Sequence, residues 1–274
     1  MSTLCYDEKE SEVQQLFPSL FLAHGVPLTG LTDNEYIPFL RGLGLMLPEP
    51  KAIVIVTADE EGGAVTIGAA DRFGGIKQEY GFPDELVHAV YPAKVDRELA
   101  SDIGIMCSTH GIPYRFTVKR ELDYRVYTIL QALYPHADVP IVTMSVNGRL
   151  VPEEHYRIGR MLEPLRERDV LIIGCGSTGH RLRKLSWDAV VPERWQTRFD
   201  DWLTETIAVW HTEALFHYPE QAPFAEDAVL RGGETHLAPL FVALGTADSE
   251  KEAYKLHQSY VYGCLSLSAW SFGK

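Results

Sequence analysis

Unbroken apolar runs recur along this chain at residues 20–23, 53–56 and 170–174, and the mostly apolar 139–146 reads as another buried strand. A run of β-branched and aliphatic residues without polar alternation predicts a strand covered on both faces, as in the middle of a sheet flanked by helices. Between these runs the period changes. Tyr36, Phe39, Leu40 and Leu43 predict a helix over 34–47, ended by Pro48 and Pro50. Leu99, Ile103 and Met106 predict another from an Asp96 N-cap to about Cys107. Further helices are expected over 126–133, over 151–166 with Tyr156, Ile158, Leu162 and Leu165 on one face, over 195–211, and over 237–244. Residues 64–69 alternate weakly. Residues 260–272 alternate apolar and small polar side chains through Leu265, Ser266, Leu267 and Ser268, which predicts an edge or one-sided strand. This alternation of strands and helices implies an α/β fold, a mostly parallel or mixed central sheet flanked by helices. Residues 1–16 are expected to be a polar, mobile leader and 17–274 a single domain, since no composition shift marks a linker.

Composition narrows the function. Twenty-five Lys and Arg against 38 Asp and Glu give a net charge of −13, which disfavours nucleic-acid and anionic-membrane partners. No apolar run approaches the roughly 20 residues of a membrane span. The acidic first dozen residues are neither a signal peptide nor a transit sequence. Cys5, Cys107, Cys175 and Cys264 lack paired spacing, which fits a reducing cytoplasm rather than a disulfide framework.

Several segments could carry chemistry. Gly174-Cys175-Gly176-Ser177-Thr178-Gly179 spells G-x-G-x-x-G after a strand. A dinucleotide site needs a helix opening from the third glycine, whereas 181–192 reads as loop with Trp187 and Pro192 in it, so none is predicted. Cys175 reads as a small buried residue. The histidines lead further. His24, Asp59 and His180 each follow an apolar strand, and a sheet would deliver all three to one edge, where ligands bind in open α/β folds. Imidazoles and a carboxylate are costly to bury without a partner, and a divalent metal serves several at once. Residues 74–83, containing Tyr80 and Phe82, read as a long surface loop whose aromatic side chains roof a pocket.

The chain also resembles a known family. Residues 21–27, Phe-Leu-Ala-His-Gly-Val-Pro, resemble the N-terminal S-H-G-x-P element of class III extradiol ring-cleavage dioxygenases, in the DOPA dioxygenase (LigB-like) branch. Residues 50–58 resemble that branch's P-K-A-I-L-V-V-S-A strand. Collinear likenesses continue through Tyr80 to Pro83, Tyr91 to Ala93, Leu133 to Pro135, Gly176 to Leu182 and His236 to Leu240. The resemblance implies that His24 and His236 are metal ligands and that His180 is the acid/base residue or a fourth ligand. Two positions depart from the family pattern. Asp59 stands where the family has a histidine after S-A, and Leu122-Asp123-Tyr124-Arg125 stands for L-D-H-G.

Asp59 with His24 and His236 makes two histidines and one carboxylate, the set that leaves ferrous iron open to a chelating substrate and dioxygen. The resemblance thus implies one divalent metal, Fe(II) favoured with Mn(II) or Zn(II) as alternatives, and a catechol or related ortho-substituted phenol as substrate with O2. Tyr124 would donate a hydrogen bond rather than shuttle a proton, because a tyrosine phenol ionises at about pH 10. Two further readings stay open. One is a metal-dependent hydrolase with His180 working on a bound water; the other is an inactive partner or regulatory subunit. Association into a homo-oligomer is not decided by the sequence.

Overall fold

The structure, a computed structural model, describes residues 16–25, 34–58, 63–77, 88–179, 186, 188–189, 191–229 and 233–273. Of the expected leader only Leu16 falls within them.

Eight strands form one mixed sheet: β1 (Ser19–Ala23), β2 (Ala52–Thr57), β3 (Val65–Gly68), β4 (Tyr114–Thr117), β5 (Ile141–Ser145), β6 (Val170–Gly176), β7 (Ala253–Val261) and β8 (Leu265–Phe272), in the order β4-β3-β5-β2-β6-β1-β8-β7. The central four, β5, β2, β6 and β1, run parallel. Every residue of β1, β2 and β6 is buried, as their unbroken apolar runs require.

Two expectations about strands are corrected. The segment 260–272, expected to be an edge or one-sided strand, belongs to a hairpin. β8 lies inside the sheet between β1 and β7, and β7 is the edge. β6 also runs two residues beyond the predicted end, so Gly174 and Gly176 are strand residues rather than parts of a phosphate-binding turn.

Helices α1 (Tyr36–Met46) and α3 (Tyr124–Leu133) cover one face, packing Tyr36, Leu40, Val126 and Leu130 onto Leu22, Ile55 and Ile173. The other face carries α2 (Arg97–Thr109), α4 (Pro152–Leu162), α5 (Arg194–Ala208), the short α6 (Thr212–Phe216), α7 (Tyr218–Gln221) and α8 (Ala225–Ala228), and α9 (Glu234–Gly245). Asp96 caps α2 as predicted, accepting from Leu99 N at 2.9 Å. The helix expected to reach 166 stops at Leu162. Pro164 has no N–H to continue the ladder, and Glu163–Arg168 follow as a 3₁₀ turn.

The helix that positions the site is α9. Its residues from Leu237 to Gly245 are all buried, the pattern of a helix enclosed on every side. It lies between the sheet and α4 at backbone contact distance. A Cβ added to Gly174 would fall 2.3 Å from the Pro239 carbonyl oxygen, and one on Gly176 would fall 2.5 Å from that of His236. On the α4 side, a Cβ on Gly159 would fall 2.1 Å from the Val242 carbonyl oxygen. The glycines of the G-x-G pair therefore let a helix backbone press onto the strand.

Candidate functional site

β2, β6 and β1 are parallel neighbours with Thr57, Cys175 and Leu22 in register, so their carboxyl ends lie side by side. His24 is the next residue after β1. Its N–H donates to the Gly176 carbonyl at 2.7 Å, extending the ladder by one step, and the residue is 2% exposed. The sequence places His236 on a loop ahead of a helix; it stands instead in the first turn of α9. The Ser177 N–H donates to its carbonyl at 2.7 Å, tying the end of β6 to α9.

These ties bring the two imidazoles together from positions 212 residues apart. His24 Nε2 and His236 Nδ1 are 3.2 Å apart, with ring centroids 5.2 Å apart at 60°. His24 Nδ1 lies 3.3 Å from the Gly25 carbonyl. A proton on that nitrogen leaves the Nε2 lone pair for a cation. Two nitrogens at this spacing match adjacent ligands of one metal at about 2.0–2.1 Å from each. The pair therefore fits a divalent metal. Among the described residues no cluster of three or more His, Cys, Asp or Glu side chains forms. Asp59, His180, Tyr80 and Phe82 lie outside the described residues. The ends of the segment containing Asp59 are anchored: Val146 N donates to the Thr57 carbonyl at 2.9 Å, and Asn147 Nδ2 to that of Gly63 at 3.0 Å.

Tyr124 opens α3 and is buried. Asp123 caps the helix, accepting from Arg125 N at 2.7 Å, and pairs with the same residue's guanidinium through Nε and Nη2, both at 2.8 Å. The guanidinium carbon lies 5.1 Å from the centre of the Tyr124 ring. This ion pair is close enough to β6 to act on Cys175. Burial pushes the Cys175 thiol far above its ordinary range, with Asp123 adding to the shift and Arg125 opposing it. The thiol thus stays protonated, in keeping with the buried role read from the sequence. Beside the ends of β2 and β5, a cavity of ≈ 80 Å³ is lined by residues including Thr57, Phe73, Lys119, Asp123, Thr143 and Ser145.

Two residues near these strand ends escape a reading of the sequence. Tyr36 looks like one of the apolar positions of α1, but its phenol is buried beside Cys175 and the Ala23 backbone, and burial raises its pKa well above the usual value. Asp200 looks like part of the polar face of α5. It is buried and bonded to Thr178, in the turn after β6. The available signal is spacing: Gln196 and Asp200 fall on the same stripe as Phe199, Leu203 and Ile207.

The fold and this histidine pair define a class. The chain belongs to the family of the catalytic LigB subunit of aromatic ring-opening dioxygenase, which matches residues 40–271. It is similar to the 4,5-DOPA dioxygenase extradiol of Beta vulgaris, 30% identical over 269 residues that cover 96% of this chain and 98% of that protein. The protein of the same name from Escherichia coli is 28% identical, covering 93% of this chain and 94% of its own length. The crystal structure of an uncharacterised protein from Escherichia coli K12 superposes with a TM-score of 0.76 at 25% identity, covering 94% of this chain and 100% of that one. Extradiol-type opening of an aromatic ring, an oxidoreductase chemistry, is the activity this membership supports.

Proposed function

We propose that the protein is a cytoplasmic, non-haem, metal-dependent dioxygenase that opens the ring of a catechol or related ortho-substituted phenol, incorporating both atoms of O2. The observation that carries this reading is the approach of His24 Nε2 to His236 Nδ1, 3.2 Å apart at the carboxyl edge of β1 and β6. Asp59, two residues beyond β2, completes the ligand set. Fe(II) is the metal favoured by two imidazoles and a carboxylate, with Mn(II) or Zn(II) as alternatives. Bound there, ferrous iron would supply the open positions at which a chelating catechol and dioxygen meet.

The chain's own residues do the rest. His24 holds its proton on Nδ1 toward the Gly25 carbonyl and keeps Nε2 for the metal. His180 takes a phenolic proton from the substrate and returns one as the ring opens. Tyr124 donates a hydrogen bond to the substrate, and Tyr80 and Phe82 roof the pocket against water.

The test is elemental analysis of protein purified without chelators or affinity metals, followed by oxygen uptake with catechols. One equivalent of iron or manganese in the wild type, lost in Asp59→Ala together with catechol-dependent oxygen uptake, is expected. A metal-free wild type, or zinc without oxygen uptake, would refute the reading.

A further inference from the structure

A hydrogen-bonded cluster of polar side chains, buried apart from the half-buried Gln258, runs from the edge strand to the turn after β6. Gln258 Nε2 on β7 donates to Ser266 Oγ on β8 at 2.9 Å. Ser266 Oγ lies 3.0 Å from Thr178 Oγ1, and the Thr178 hydroxyl donates to Asp200 Oδ1 at 2.8 Å. Gln196 Nε2, one turn earlier in α5, donates to Asp200 Oδ2 at 3.0 Å. Gln258 thus donates into the cluster, and the Ser266 and Thr178 hydroxyls both bond to the Asp200 carboxyl. Lys255 stands nearby on β7, bonded to Thr204 at 2.8 Å; burial raises the Asp200 pKa, with the bonds from Thr178, Gln196 and Ser266 and the charge of Lys255 opposing the shift. Thr178, Gln196, Asp200 and Ser266 are all at least 97% buried.

The position of this cluster gives it meaning. Ser177 is bonded through its N–H to His236, and its Oγ closes a local turn by donating to the Gly179 carbonyl at 2.9 Å. Thr178 is held by Asp200, and Gly179 is pressed against Gln196 so closely that a Cβ there would lie 1.8 Å from Oε1. The turn is thus clamped between the helix that carries one histidine of the pair and the carboxylate of α5. A carboxyl, an amide and two hydroxyls buried together cost desolvation that apolar residues of the same volume would not. What the bonds converging on Asp200 supply is one fixed geometry for the Thr178 hydroxyl. The residue after Gly179 is His180.

We propose that Asp200 and Thr178 are positioning residues: they fix the turn from Ser177 to Gly179, and through it the acid/base histidine that follows. The inference rests on the assignment of His180 made above, and the network is a distinct set of residues from the ligands.

The experiment compares full-length, metal-loaded wild type with Thr178→Val, which keeps shape and removes the hydroxyl, with Thr178→Ser, which restores it, and with Asp200→Asn. Thr206→Val serves as a control, because Thr206 is a buried hydroxyl of the same helix bonded to the Trp202 carbonyl. Amide hydrogen exchange at Ser177 and Gly179 is read beside kcat and KM for catechol cleavage. Expected are exchange at least ten-fold faster in Thr178→Val and Asp200→Asn, kcat per bound metal lowered by ten-fold or more, and KM and metal content within two-fold of wild type. Thr178→Ser and Thr206→Val should behave as wild type. Unchanged exchange in Thr178→Val and Asp200→Asn overturns the clamp whether or not the wild type opens a catechol. Faster exchange with kcat unchanged overturns the positioning role. Faster exchange in a protein whose wild type opens no catechol upholds the clamp and refutes the acid/base assignment instead.

Discussion

Gly176→Ala tests how the histidine pair is held. A Cβ at this position would fall 2.5 Å from the His236 carbonyl oxygen and 2.7 Å from the Phe21 ring. Carbon–oxygen contacts begin at about 3.3 Å, so α9 would have to retreat by roughly 0.8 Å at the residue that carries the imidazole. Metal–ligand distances tolerate only about 0.2 Å. The expected result is a metal affinity lowered roughly 10- to 100-fold, the range seen when the support of a ligand is lost. The metal-free protein should also lose about 1–3 kcal/mol from overpacking. Gly42→Ala is the matched control. Gly42 lies inside α1 with nothing within 4 Å of an added Cβ, and alanine there should stabilise by about 0.5–1 kcal/mol. Metal affinity would be read by titrating each metal-free protein with Fe(II) under anaerobic conditions, and stability by urea unfolding. Wild-type metal affinity in Gly176→Ala would refute the claim that contact between α9 and β6 sets the distance between the imidazoles.

Two other outcomes are expected. Chelation should lower the melting temperature of the wild type by removing a ligand that binds only the folded chain, and His24→Ala and His236→Ala should melt at one temperature with or without chelator. His155, buried in α4, has its pKa lowered from 6.5 to about 4 by desolvation. A folded pKa below the unfolded one means stability that is present above pH 6.5 and lost as the pH falls toward 4, a loss of about 3 kcal/mol at most. His155→Gln should flatten this part of a stability–pH curve, and an unchanged acid limb in the variant would exclude His155 as its source.

The parts of the fold that are legible in the sequence are those in which one physical demand dominates. β1, β2 and β6 are covered on both faces and read as apolar runs. α1, α2 and α5 pack one stripe onto the sheet and read at a period of 3.6. β4 escapes because all four of its residues, Tyr114 to Thr117, are at least partly exposed, so no apolar pattern marks it. β8 reads as an edge because Ser266 and Ser268 alternate with leucines. Both serines are buried, and Ser266 faces the polar network of Thr178 and Gln258 rather than water. His24 is readable from its place at a strand end. His236 is readable as a histidine ahead of an apolar segment, but not its setting, since the first turn of a helix delivers it rather than a strand end or loop. The Asp123–Arg125 pair and the Asp200 network depend on side-chain contacts that a linear pattern does not contain.

β1 pairs with β6 on one side and β8 on the other, so the strand synthesised earliest of the eight has both its partners in the second half of the chain. Such long-range pairing is closed late and slowly in folding. A chain still emerging from the ribosome has His24 but neither the β6 slot that fixes its backbone nor the helix that brings His236 beside it. The two imidazoles become a chelate only when the whole sheet has closed. A nascent or half-folded chain therefore offers two isolated histidines, and the paired site exists only in the closed fold.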